Sequence, residues 1–271
     1  MSEESTPQVF SNRWADAVGS GGRGSPRDLC GCIEQTSTKP QRTTRFHGER
    51  QDTTAPGWIR LLELVEEAAA DEREVFKPLA ELTADQRRQV VTLPPTIAEL
   101  TSVKHLVLYG SNLVRIPPEI GAMRSLEEFT PYTSYRLHWF PYEITRCPGL
   151  RRSTVSTRAL YGNYKLRPPF PLLPAAAAGA QGMGLEDLDP GVWGAAAIRT
   201  CSVCDRHIDA GNLRQVWVSL RTSGADVLPL LVNACSTTCV EALPEPAEGY
   251  VQTPHTGGPG VEQPPAGRRP R

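Results

Sequence analysis

LPPTIAELTSVKHLVLYGSNLVRIPPEIGAMRSLEEF, residues 93–129, decides how this chain is read. Val90-x-x-Leu93-Pro94 returns as Leu113-x-x-Ile116-Pro117 and again as Leu137-x-x-Phe140-Pro141, at intervals of 23 and 24 residues. Behind each proline the pattern stays in step: Ile97, Ile120 and Ile144, then Leu100, Met123 and Cys147, then Val103, Leu126 and Leu150. A fixed apolar period of this size signals stacked units. In each unit a short strand alternates its side chains, so Leu106 and Leu108 turn inward while His105, Val107 and Tyr109 face the other way. No unit buries its apolar side alone, so neighbours must stack.

The stretch resembles the 23-residue bacterial leucine-rich repeat of the LPxxI type, L-x-x-L-x-L-x-x-N-x-L-x-x-I-P, over about 75 residues of the 271. The resemblance implies an α/β fold: a short leucine-rich-repeat solenoid whose concave face binds another protein. His105, Val107, Tyr109, Glu128, Thr130, Tyr132, Arg152, Thr154 and Ser156 fall on that face. Tyrosine and arginine are frequent anchors of protein contacts. The repeats depart from the family in places. Ser111 stands at the asparagine position, Pro131 and Ser153 replace inward leucines, and one residue is inserted before Phe140.

The rest of the chain is organised around these repeats. Trp58, Leu61, Leu62, Val65, Ala68 and Ala69 recur at helical spacing, and Val75, Phe76, Leu79 and Leu82 form a second apolar set. Thr83-Ala84-Asp85-Gln86 has the form of a capping box. Residues 58–92 are therefore expected to be a helical N-terminal cap on the repeats of 93–174, which close with Arg167-Pro168-Pro169-Phe170-Pro171. Residues 1–57 lack a persistent period and read as a disordered segment. Their Cys30-Gly31-Cys32 is too closely spaced for the usual zinc pair and reads as two incidental thiols. Residues 175–198 read as an Ala/Gly linker and 246–271 as a disordered tail rich in proline and glycine.

Residues 199–245 carry a different signal. Cys201-x-x-Cys204 and Cys235-x-x-x-Cys239 flank two strand-like runs, Val216–Leu220 and Val227–Val232, with Gly224 and Asp226 between them. The order resembles a treble-clef zinc finger, which implies a small α+β module with Cys201, Cys204, Cys235 and Cys239 around a structural zinc. His207, three residues after Cys204, is an alternative ligand. Four thiolates close a zinc site and leave no catalytic position.

Composition limits the remaining functions. The net charge of −1 gives no general pull toward nucleic acid. A nucleic-acid-binding zinc protein stays as the alternative reading, resting on the zinc fold and on ten basic against five acidic residues in 93–171. Residues 199–250 hold four arginines against six carboxylates, so nucleic acid is not the expected partner. No apolar run is long enough for a membrane span. The N-terminus has no secretory character, and the cysteine pattern is of the metal-binding kind, so a cytoplasmic protein is expected. No catalytic constellation is present, and an enzyme is not expected.

Overall fold

The computed structural model describes Cys32 and residues 44–173, 200–209, 212–223 and 226–267. The expected linker, most of the expected N-terminal segment and the last four residues lie outside the described set. The described residues form a mixed α/β structure with one parallel sheet and one mixed sheet.

The parallel sheet has the order β1-β2-β3-β5, where β1 is Val75–Phe76, β2 His105–Val107, β3 Glu128–Thr130 and β5 Arg152–Ser153. Its register follows the sequence period: His105 pairs with Glu128, and Glu128 with Arg152. Leu106, Leu108 and Phe129 are fully buried, as strand alternation requires. Strands β2, β3 and β5 are each preceded by a short 3-10 turn, at Pro95–Glu99, Pro118–Ala122 and Tyr142–Arg146, following the prolines that stop a regular helix from forming earlier. These turns pack so closely that a Cβ on Gly121 would sit 2.6 Å from the Glu143 carbonyl oxygen. Ser111 and Ser134, one sequence period apart, form a buried pair separated by 23 residues. Their hydroxyls lie 2.6 Å from each other, and Ser134 Oγ donates to the Leu108 carbonyl at 3.1 Å.

Helix α1 (Pro56–Ala70) opens with proline at its first position and buries Trp58, Leu61, Leu64, Val65 and Ala68. Leu64, rather than the expected Leu62, belongs to the inward stripe. Leu62 is 36% exposed. Val75–Phe76 is the edge strand of the parallel sheet and not a helical segment. Short helices α2 (Pro78–Glu81) and α3 (Ala84–Gln89) follow. In α3 the expected capping box forms: Gln86 N–H donates to Thr83 Oγ1 at 3.2 Å, and Thr83 N–H to Gln86 Oε1 at 2.9 Å.

The second sheet contains the C-terminal hairpin, β6 (Arg214–Ser223) antiparallel to β7 (Asp226–Ala234). Its third strand, β4 (Phe140–Pro141), comes from the last complete repeat and runs parallel to β7, with Phe140 opposite Leu230. The cysteine module is thus joined to the end of the repeats by backbone pairing.

Trp217 of β6, fully buried, is the centre of a second core. Phe46, Trp139, Tyr161 and Phe170 surround it with ring centroids 5.6–6.0 Å away, and its indole N–H donates to the Pro171 carbonyl at 3.0 Å. Two of the segments expected to be disordered contribute here. From the N-terminal side, Thr44 and His47 are buried, and Arg115 donates to the Glu49 carbonyl at 2.6 Å. From the C-terminal side, Tyr250 is buried, and His255 exchanges backbone hydrogen bonds of 2.8 and 3.1 Å with Trp217. Composition alone misjudged residues 44–57 and 246–267 of these segments, because a few aromatic and backbone contacts suffice to hold a chain without a regular period against an apolar wall.

Candidate metal centre

Cys201 and Cys204 lie in a tight turn ahead of the hairpin, Cys235 follows β7, and Cys239 sits in α4 (Thr237–Glu241). Ser236 caps this helix by accepting the Cys239 N–H at 3.2 Å, which fixes where the last thiol points. All four sulfurs lie within 4.8 Å of one another. Three of the separations are Cys204–Cys235 3.6 Å, Cys235–Cys239 3.7 Å and Cys239–Cys204 3.6 Å. A tetrahedron with metal–sulfur bonds of about 2.3 Å has edges of about 3.8 Å. Cys204, Cys235 and Cys239 therefore already stand at the edge length such an ion requires, and Cys201 lies within reach of the fourth corner.

Polar contacts on the sulfurs fit thiolate character. The Cys235 N–H donates to Cys201 Sγ at 3.4 Å, and Arg206 Nε donates to Cys204 Sγ at 3.3 Å. The Arg206 contact draws the Cys204 thiol down to about 6, which favours the form that binds metals. Burial pushes Cys235 up to about 12. His207 is not part of the cluster: its exposed side chain faces Asp209, 3.7 Å away, and its backbone bridges Thr200.

The cluster is docked on the repeats through its first pair. Ser202 Oγ donates to Glu143 Oε1 at 2.7 Å, and Arg146 donates to the Ser202 carbonyl at 2.8 Å while pairing with Asp205 at 2.6 Å.

No protein-family model matches the chain, and no curated protein is significantly similar to it. Among the described residues no helix is long and apolar enough to cross a membrane.

The residues expected on the outward face of the parallel sheet fall into two groups. Tyr109 and Tyr132 are 41% and 44% exposed, with ring centroids 6.1 Å apart, and Arg152 and Thr154 are exposed. His105, Val107, Glu128 and Thr130 are half-buried in the same rows, with His105 Nε2 3.0 Å from Thr130 Oγ1. Ser156 does not belong with them. It is buried at the start of the 3-10 turn Thr157–Ala159, because the chain leaves the strand at Ser153 and no longer alternates.

Sequence reasoning passed over His47 and His138, both buried and both facing Cys32. The Cys30-Gly31-Cys32 motif was the one available signal, and nothing in the sequence links it to histidines 15 and 106 residues away.

Proposed function

We propose that this chain is a leucine-rich-repeat scaffold that binds another protein through the outward face of its parallel sheet, and that its four-cysteine centre holds a structural zinc. The observation that carries the reading is the pair Tyr109 and Tyr132. Two large aromatics stand exposed and side by side in the turns that follow neighbouring strands, whose inward residues are fully buried. Exposed rings on a rigid sheet offer apolar area at small cost in conformational entropy. Around them His105, Glu128, Thr130, Arg152 and Thr154 provide polar contacts of both signs, which suits a protein surface better than a phosphate backbone.

The ligand set supports zinc: four soft thiolates within 4.8 Å of one another, with no position for a substrate. Its role is to hold a hairpin and one short helix that together are too small for a full core.

The test compares proteins captured by the full chain with those captured by Tyr109→Ala, Tyr132→Ala and the double variant. A partner retained by the native chain and lost from the double variant, with thermal stability unchanged, supports the scaffold. Identical capture by all four removes this face from the account.

A further inference from the structure

Away from the four-cysteine centre, donors from three distant parts of the chain meet. Cys32 Sγ lies 3.0 Å from His138 Nε2 and 3.3 Å from His47 Nε2. The donor atoms of all three residues lie within 4.8 Å of one another. The two imidazoles stack with centroids 5.2 Å apart and planes 11° from parallel.

The far side of each ring decides what the near side offers. His138 Nδ1 lies 2.5 Å from the Ala159 carbonyl oxygen, and His47 Nδ1 lies 3.0 Å from Glu49 Oε2. A carbonyl and a carboxylate only accept, so both Nδ1 atoms carry the proton and both Nε2 atoms present lone pairs toward Cys32. Burial holds both rings neutral, with His138 lowered to about 3 and His47 to about 4. Arg136 adds to the effect on both, and Arg115 on His47. A reduced Cys32 has a single S–H to share between two Nε2 lone pairs, whereas a cation satisfies the sulfur and both nitrogens at once. A histidine whose second nitrogen is anchored by a carbonyl or carboxylate is the arrangement in which metal-binding imidazoles are held. Ideal zinc–nitrogen and zinc–sulfur bonds place nitrogen and sulfur about 3.6 Å apart. The observed separations need to open by about 0.6 Å at His138 and about 0.3 Å at His47.

We propose that Cys32, His47 and His138 form a second metal site, for a zinc-class divalent ion, which fastens the N-terminal segment to the end of the repeats. In the structure Cys32 is disulfide-bonded, so this site is open to metal only after reduction. A dithiol breaks the S–S bond: each sulfur takes one electron and one proton, and the dithiol closes into its own disulfide. Metal binding then displaces the Cys32 thiol proton. The histidines, already neutral, release none. This proposal is independent of the scaffold reading and of the four-cysteine centre, and its test separates them.

The full chain is reduced with a phosphine, saturated with zinc, freed of excess ion and assayed for metal by mass spectrometry. The expected content is two zinc per chain. It falls to one in His47→Gln, in His138→Gln and in Cys32→Ser, and separately to one in Cys201→Ser. A variant of either histidine that loses both ions has failed to fold, and the decision then rests on Cys32→Ser, whose side chain is only half-buried. One zinc in the reduced native chain, or two retained in Cys32→Ser, overturns the proposal. Cobalt(II) titration of the native chain needs no substitution. Tetrahedral absorption growing to two equivalents supports the site, and saturation at one refutes it.

Discussion

Ser202 Oγ donates a 2.7 Å hydrogen bond to the buried carboxylate of Glu143, and so ties the residue beside the first metal-centre cysteine to the last full turn of the repeats. Burial raises the Glu143 pKa, against the opposing pulls of the Ser202 hydrogen bond and the Arg146 charge, while Glu119 nearby adds to the rise. The folded chain therefore holds this proton to higher pH than the unfolded chain, and the cost of the buried charge grows as pH rises above the ordinary carboxylate range. Glu143→Gln keeps an oxygen to accept from Ser202 and removes the charge. Urea unfolding should show it more stable than the native chain at pH 8, with the gain shrinking as pH falls toward the ordinary carboxylate range. An equal difference throughout would show that packing, not ionisation, sets the effect.

His255 gives the opposite dependence. Its Nδ1 accepts the Gly257 N–H at 3.1 Å, its ring meets Phe170 edge-on at 4.6 Å, and burial lowers its pKa from 6.5 to about 4. The unfolded chain takes up a proton below about pH 6.5 that the folded chain refuses until about pH 4, so stability is complete above 6.5 and is lost as pH falls through this window. Between pH 7 and pH 5 the native chain should lose about 1–2 kcal/mol more than His255→Asn, whose amide oxygen accepts from Gly257 without titrating. Parallel losses in the two proteins would clear His255 of the effect.

How much of this was legible in the sequence depends on whether an interaction is periodic or singular. The parallel pairing of His105, Glu128 and Arg152 follows from the 23- and 24-residue apolar period, because every repeat adds evidence for the same register. The four cysteines were legible for a related reason: their spacing and the hairpin between them report one geometry. The pairing of Phe140 with Leu230 was not, since the two strands lie 90 residues apart in sequence and share no pattern. The same holds for Phe46 and His255, single residues in Pro/Gly-rich segments that find their place only once Trp217 is in position. Ser156 was misassigned because alternation was extended past the end of a two-residue strand.

Removing the ion from the four-cysteine centre should loosen the hairpin before the repeats. Cys201 and Cys239 are buried, and without metal their contacts reduce to N–H donors and neighbouring thiols. Chelation is expected to raise hydrogen exchange across Arg214–Ser223 and Asp226–Ala234, while Leu106 and Phe129 stay protected by the stacked strands on either side. Uniform loss of protection across both sheets would mean that the ion supports the whole molecule rather than the module.

Thr133 offers a gain in stability. It stands 23 residues after Gly110, at the equivalent place in the next repeat, and both adopt the left-handed backbone conformation, with φ of 64° and 68°. Gly110 takes this shape without steric cost, whereas a β-branched residue pays about 1–2 kcal/mol for it. The Thr133 hydroxyl is buried and finds no hydrogen-bond partner, so it gives little in return. Thr133→Gly should raise stability by about 1 kcal/mol after the extra entropy of the unfolded glycine is counted. In chemical denaturation this appears as a higher midpoint with an unchanged slope. Thr133→Val keeps the β-branch and removes only the hydroxyl, so it should recover much less. If valine stabilises as much as glycine, desolvation of the hydroxyl rather than backbone strain is the cost at this turn.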